Sequence, residues 1–242
     1  MSTTDRRKSL TPGQPETQSS DIASFIEKVN ALGPTAAAGP RGRLLFALDA
    51  TMSRQPTWDL ACQLQAEMFA AVADQPLEVQ LLYFRGVGEC RASKWVRDAK
   101  ALAGLMRGIS VRGGNTQSGK VLAHARAEHS RQKINALVYV GDAMEEGVDD
   151  LAQKAGRLGL HGVPVFAFQE GHDAVAETAF REIARLSKGA WFRFDRNAAA
   201  TLSKLLSAVA VFASGGLPAL EARGRAEDRL MIEHLKKAGG RG

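Results

Sequence analysis

The amino-acid sequence predicts an α/β domain with a doubly wound, mostly parallel sheet, one antiparallel edge strand and helices on both faces. Three observations carry this. Along the middle of the chain, apolar runs of strand length alternate with amphipathic stretches of helix length. The runs are continuously rich in Val, Leu, Ile and Phe, as strands covered on both faces require. One pair of runs is joined by a turn too short for a crossover, which only a hairpin satisfies.

Taken in order, residues 1–19 are rich in Ser, Thr, Pro, Gln and charge, a mixture that buries too little apolar surface to offset its ordering entropy. A disordered tail is expected there. SDIASFIEKVNAL (20–32) places Ile22, Phe25, Ile26 and Val29 at helical spacing behind a Ser20 or Asp21 cap, and GPTAAAGPRG (33–42) reads as a linker. The domain itself is expected over 43–213. Its strands are RLLFALD (43–49), LEVQLLYFR (77–85), INALVYVGD (134–142), GVPVFAF (162–168) and AWFRF (190–194). ECRAS (89–93) follows the second strand after a tight turn and makes the antiparallel edge. Helices are expected over 56–72, where Pro56 suits a first turn, and over 93–106, 116–129, 149–160, 172–187 and 198–213. Residues 214–242 read as a linker, one more amphipathic helix and a basic end. The arrangement is Rossmann-like in its strand–helix alternation.

Composition narrows the function classes. A chain of 242 residues supports one sizeable core, and its net charge of +6 is spread over both tails and the middle, so no nucleic-acid footprint is indicated. Cys62 and Cys90 lack the spacing of thiolate metal sites or redox motifs and are expected as buried free thiols in a reducing compartment. The first residues contain no apolar signal segment, and the longest apolar run, LLSAVAVFA (205–213), is shorter than the roughly 20 residues a bilayer span needs. A cytoplasmic location without membrane contact is expected.

In open α/β sheets ligands bind outside the carboxyl ends of the strands, so the loops there carry the functional reading. The first strand ends in Asp49-Ala50-Thr51-Met52-Ser53, a carboxylate and two hydroxyls at alternate positions of one loop. INALVYV ends in Gly141-Asp142, a second carboxylate beside a glycine that permits close backbone approach. Between them Gly113-Gly114-Asn115-Thr116 is a flexible turn that delivers a further hydroxyl. These donors are all oxygen, which favours a hard cation, Mg²⁺ or Mn²⁺, over zinc. Two carboxylates would balance its charge, and neutral hydroxyls would leave it open to one more anionic oxygen.

Asp49-x-Thr51-x-Ser53, then Thr116 within GGNTQSGKVL, then Asp142 within VYVGD, resembles the metal-ion-dependent adhesion site (MIDAS) of von Willebrand factor A-type (VWA) domains. That motif is usually DxSxS, then Thr, then Asp, and the resemblance extends over about residues 43–213, including the antiparallel third strand. Thr51 stands where the family usually has Ser; it keeps the hydroxyl and adds a methyl group. The resemblance implies that Thr51 and Ser53 coordinate the metal directly, Thr116 directly or through water, and Asp49 and Asp142 largely through water. It also implies a non-enzymatic module in which an Asp or Glu of a protein partner completes the coordination. The likeness in character to small stand-alone bacterial cytosolic members implies an ATP-driven chaperone-like partner.

Other readings compete for the same residues. Asp49, Thr51 and Ser53 could simply cap the following helix. Gly114 to Val121 nearly matches the phosphate-binding GxxxxGK[ST] loop, but Val121 replaces its metal-binding hydroxyl and MRGISVRG is a poor buried strand. A haloacid-dehalogenase-like phosphotransferase would use Asp49 as nucleophile and Asp142 as metal ligand, yet Thr51 occupies the place of its acid/base aspartate. His124 and His129 are expected to be solvated, and Trp95 and Trp191 to pack at the core or sheet edge. Glu145, Glu146, Asp149 and Asp150 could ring the ion or face water.

Overall fold

A computed structural model of the chain describes residues 42–57, 77–97 and 99–194, with scattered helical positions between 204 and 223. The expected tail, the helix over 20–32, the helix over 56–72 apart from Pro56 and Thr57, and the end of the chain lie outside these residues.

Strands β1 (Gly42–Asp49), β2 (Leu77–Arg85), β3 (Glu89–Ala92), β4 (Ala136–Gly141), β5 (Val165–Glu170) and β6 (Ala190–Phe194) form one six-stranded sheet in the order β3-β2-β1-β4-β5-β6. All pairings are parallel except that of β2 with β3, where Arg85 faces Glu89 across the Gly86–Gly88 turn. Helices α1 (Ala99–Arg107), α2 (Ser118–Arg131), α3 (Val148–Leu160) and α4 (Ala174–Leu186) lie between strands, and a 3-10 turn covers Met52–Thr57.

The apolar runs are explained by burial on both faces. Along β1, Leu44, Phe46 and Leu48 enter one core with Leu102 and Met106 of α1 and with Val209 and Val211. Leu45 and Ala47 enter the opposite core with Val121 and Leu122 of α2, Leu151 and Leu158 of α3 and Phe180 of α4. Every β1 side chain is buried, and each fully buried aliphatic or aromatic side chain contributes about 1.5–3 kcal/mol of transfer free energy. The helices do sit on both faces.

Residues 93–97 depart from the expected helix. Val96 exchanges 2.8 Å backbone bonds with Val79 in both directions, and Ser93 N–H donates to the Leu81 carbonyl at 2.8 Å, so the chain extends the sheet edge before α1 begins at Ala99. Trp95 holds it there: its indole donates to Glu128 of α2 at 2.9 Å and its ring lies 3.7 Å below the Arg43 guanidinium. These contacts outweigh the helical periodicity of the sequence. The histidines differ too. His124 is half-buried against Gln80 (2.9 Å) and His129 accepts from the Ile134 amide (3.3 Å), and burial lowers both imidazole pKa values. Cys90 is a free, half-buried thiol; Cys62 lies outside the described residues.

Candidate metal centre

The strand order reverses between β1 and β4, and at that point the two carboxyl ends leave a crevice between loops that diverge to opposite sides of the sheet. Asp49 is the last residue of β1 and Asp142 immediately follows β4, so the two candidate carboxylates flank this crevice. Asp49 is fully buried and accepts the Thr51 amide at 2.8 Å through Oδ1. Thr51 Oγ1 in turn lies 3.0 Å from Ser53 Oγ, so three of the five residues form one hydrogen-bonded loop. The loop is held in place by backbone pairing: Ala50 N–H donates to Phe84 of β2 (2.9 Å), and Arg112 N–H donates to the Ala50 carbonyl (3.0 Å).

Two buried carboxylate oxygens lack a hydrogen-bond partner among the described residues: Asp49 Oδ2 and Asp142 Oδ1. Leaving a charged acceptor buried and unpaired costs several kcal/mol unless a proton or a cation meets it. The Asp49 carboxyl registers this cost, because burial pushes its pKa up to about 6. The neighbouring Asp142 adds to the rise, while the Thr51 hydrogen bonds and the Arg54 guanidinium oppose it. A hard cation between the two orphaned oxygens would remove the penalty, so the donor set fits one. No group of three or more His, Cys, Asp or Glu residues with metal-ligand geometry occurs among the described residues, so any ion here must draw on hydroxyls as well.

Thr116 is engaged differently from the flexible turn expected of Gly113 to Thr116. Its amide donates to Glu145 Oε2 at 2.8 Å and its Oγ1 accepts the Glu145 amide at 3.1 Å, a reciprocal pair that fixes the turn against the β4–α3 loop. Gly114 packs on the β2–β3 turn so tightly that an added Cβ would sit 2.1 Å from the Gly86 carbonyl oxygen. The turn is thus anchored by protein on both sides. One acceptor lone pair of Thr116 Oγ1 stays available after the Glu145 bond.

Glu145 and Glu146 neither ring an ion nor merely face water. Glu146 accepts the Ser118 amide and, at 2.9 Å, the Gly119 amide, so it caps the N-terminus of α2 in place of the Gln117 side chain. Those amides are the ones a phosphate would need. Lys120 is likewise committed, donating to the Gly88 carbonyl and to Gln117 Oε1 at 2.9 Å each. The near match to a phosphate-binding loop is therefore a loop with its anion seat filled by a side chain.

Two supports escaped the sequence reading. Arg54, buried in the 3-10 turn, pairs with Glu170 at the end of β5 (2.8 Å) and ties the first loop across to a strand beyond β4. Tyr139 of β4, enclosed between Phe84 and Phe180, has its hydroxyl 2.8 Å from Ser118 Oγ and floors the crevice. An RQ dipeptide after the motif and an isolated tyrosine carry no periodic signal that would have revealed either.

No family model matches the sequence, and no curated protein matches it. Solved structures do. The chain is similar to the VWA domain of SpRpn10 (16% identity, TM-score 0.56, covering 69% of this chain and 94% of that one). It is also similar to an aerotolerance-related membrane protein from Bacteroides fragilis NCTC 9343 (18% identity, TM-score 0.53, 69% and 99%). A third is proximal thread matrix protein 1 of the mussel byssus with a zinc-occupied MIDAS motif (15% identity, TM-score 0.57, 69% of this chain); the match spans 45% of that longer chain. At these identities the likeness is one of fold.

Proposed function

Because the chain has the von Willebrand factor A-type fold, we propose that it is a divalent-metal-dependent protein-binding module that captures a partner's carboxylate at Asp49, Thr51, Ser53, Thr116 and Asp142. The observation that carries this reading is the pair of orphaned buried oxygens, Asp49 Oδ2 and Asp142 Oδ1, at the sheet's switch point. Thr51, Ser53 and Thr116 would supply neutral oxygens around the ion, so that the two carboxylates balance its charge without saturating its demand for anionic ligands. A bound cation supplies an electrophilic centre for one external carboxylate. The all-oxygen donor set favours Mg²⁺ or Mn²⁺. The zinc in the mussel protein's motif is a property of that protein.

The module is not an enzyme in this reading. Thr51 occupies the position where a phosphotransferase of the rival type needs a proton-donating carboxylate, and its hydroxyl is paired with Ser53. The partner supplies an Asp or Glu, and an ATP-driven chaperone-like protein is the candidate class. Calorimetric titration of the metal-stripped protein tests the site: one Mg²⁺ or Mn²⁺ per chain is expected. Titration curves that are equally strong after Asp49→Ala with Asp142→Ala would overturn it. A metal-dependent pull-down comparing wild type with Asp49→Ala then tests partner capture.

A further inference from the structure

We infer that the rim of the crevice on the β3 side is a docking surface for an acidic protein segment, whose extra carboxylates pair with Arg91 and Arg112 while one carboxylate reaches the cation. This deepens, and rests on, the metal-dependent reading above. The basic ridge is continuous with the first loop. Arg112 bridges to Thr51 through its backbone, and its side chain crosses Gly86, whose added Cβ would meet Arg112 Cδ at 3.4 Å. Lys120 sits on the Gly88 carbonyl of the same turn at 2.9 Å.

The charge on this ridge is unbalanced and faces outward. Among the described residues Glu89 alone forms ion pairs with Arg85 (3.1 Å), Arg91 (3.1 Å) and, at 3.8 Å, Arg112. The Arg91 and Arg112 side chains are 71% and 67% exposed whereas that of Glu89 is 17% exposed, so the cations meet solvent and the carboxylate lies beneath them. Beyond β4, Glu145 in the β4–α3 loop and Asp149 in the first turn of α3 are exposed and acidic, while Asp150 is paired with Lys154. A polarised rim admits an acidic flank on one side only and repels it on the other, which fixes how a segment lies over the ion. Val87, 95% exposed at the tip of the β2–β3 turn, and Met52, 54% exposed beside the first loop, add apolar contact at the same edge. The ridge is already ordered: Gln117 donates to the Glu89 carbonyl at 3.2 Å and Gly114 abuts Gly86, so docking requires little further ordering of this turn.

Fluorescence anisotropy with labelled Gly/Ser peptides tests this. One carries a single Asp, another the same Asp followed by a run of Glu, and a DNA oligonucleotide of matched charge serves as comparison. In Mg²⁺ the acidic peptide should bind about tenfold tighter than the single-Asp peptide, and the gap should close at high salt. Arg91→Glu with Arg112→Glu should abolish the preference while calorimetric Mg²⁺ uptake is unchanged, and the milder Arg91→Gln with Arg112→Gln should weaken it without reversing charge. A preference that survives both variants, or an oligonucleotide bound more tightly than the peptide through the same arginines, overturns the proposal and leaves the metal reading intact. If wild type takes up no Mg²⁺, the metal reading fails. The peptide preference is then read in chelator, where its loss in the variants still supports the rim and its absence overturns it.

Discussion

Gly114 and Gly86 touch backbone to backbone: a methyl group on Gly114 would stand 2.1 Å from the Gly86 carbonyl oxygen and 2.4 Å from its Cα. Through this contact the turn that bears Thr116 is seated on the β2–β3 turn, and Gly86 itself has a positive φ of 60° that suits glycine. Neither backbone can retreat cheaply, since Gly86 follows β2 directly and Thr116 is tied to Glu145. Gly114→Ala should therefore destabilise the domain by about 2 kcal/mol or more. It should also weaken Mg²⁺ uptake in a calorimetric titration by moving Thr116 away from the crevice. A variant with unchanged melting temperature and unchanged Mg²⁺ affinity would show that the contact is not rigid.

The burial of Asp49 predicts a pH dependence with a definite sign. Its folded-state pKa of about 6 lies above the ordinary 3.8, so between those values the folded chain holds a proton that the unfolded chain has released. The contribution of Asp49 to metal-free stability should fall as pH rises from about 4 to about 6 and then level off, a penalty of at most about 3 kcal/mol from this group, against the opposite trend of His124 and His129, whose lowered pKa values favour the folded chain as pH rises. Mg²⁺ affinity should rise over the upper part of the same window. Asp49→Asn should raise the metal-free melting temperature at pH 7.5, by about 1–2 kcal/mol in stability, while eliminating metal uptake. Thermal melts in chelator across pH, wild type against Asp49→Asn, check this; a difference between the two that does not grow as pH rises through that window would contradict the buried-carboxyl account.

Thr116 carries two jobs that a double-mutant cycle separates. Losing its hydroxyl removes the acceptor for the Glu145 amide, so Thr116→Ala should cost about 1 kcal/mol even in chelator. In Mg²⁺ it should cost more, because a ligand is lost as well. Glu145→Ala, which removes the acceptor of the Thr116 amide, should share the chelator cost and spare most of the metal-induced rise in melting temperature. Identical losses for Thr116→Ala in chelator and in Mg²⁺ would remove Thr116 from the metal site.

Nucleotide chemistry should be absent. With the Ser118 and Gly119 amides bonded to Glu146 and Lys120 turned to Gly88, the stretch has no free seat for a phosphate. Isothermal titration with ATP and Mg²⁺, together with a phosphate-release assay, should register no binding at this loop and no turnover. Hydrolysis lost on Lys120→Ala would revive the nucleotide reading.

Much of the fold was legible because it obeys simple periods. β2 and β6 lie where their apolar runs end, and β3 is antiparallel because the Gly86–Gly88 turn leaves no room for a crossover. Residues 93–97 differ from the expected helix because Trp95, Ala99, Leu102 and Met106 follow one another at helical spacing, while the partners of Trp95 and Val96, namely Arg43, Val79 and Glu128, lie far away in sequence. The candidate ligands were legible as oxygen-bearing residues at strand ends. Their supports were not: Glu146 serves a helix that begins 28 positions earlier, and the sequence gives no register for such a pairing.

The Arg54–Glu170 pair gives the candidate site a mechanical character. It fastens the loop after β1 to the end of β5, while Ala50 and Arg112 fasten it to β2 and to the Thr116 turn. A pull applied along the strand direction at a cation held here would be divided among β2, β1 and β5, with β4 drawn in if Asp142 were a ligand. Such a load shears parallel strands against several ladders at once and cannot peel one strand from an edge.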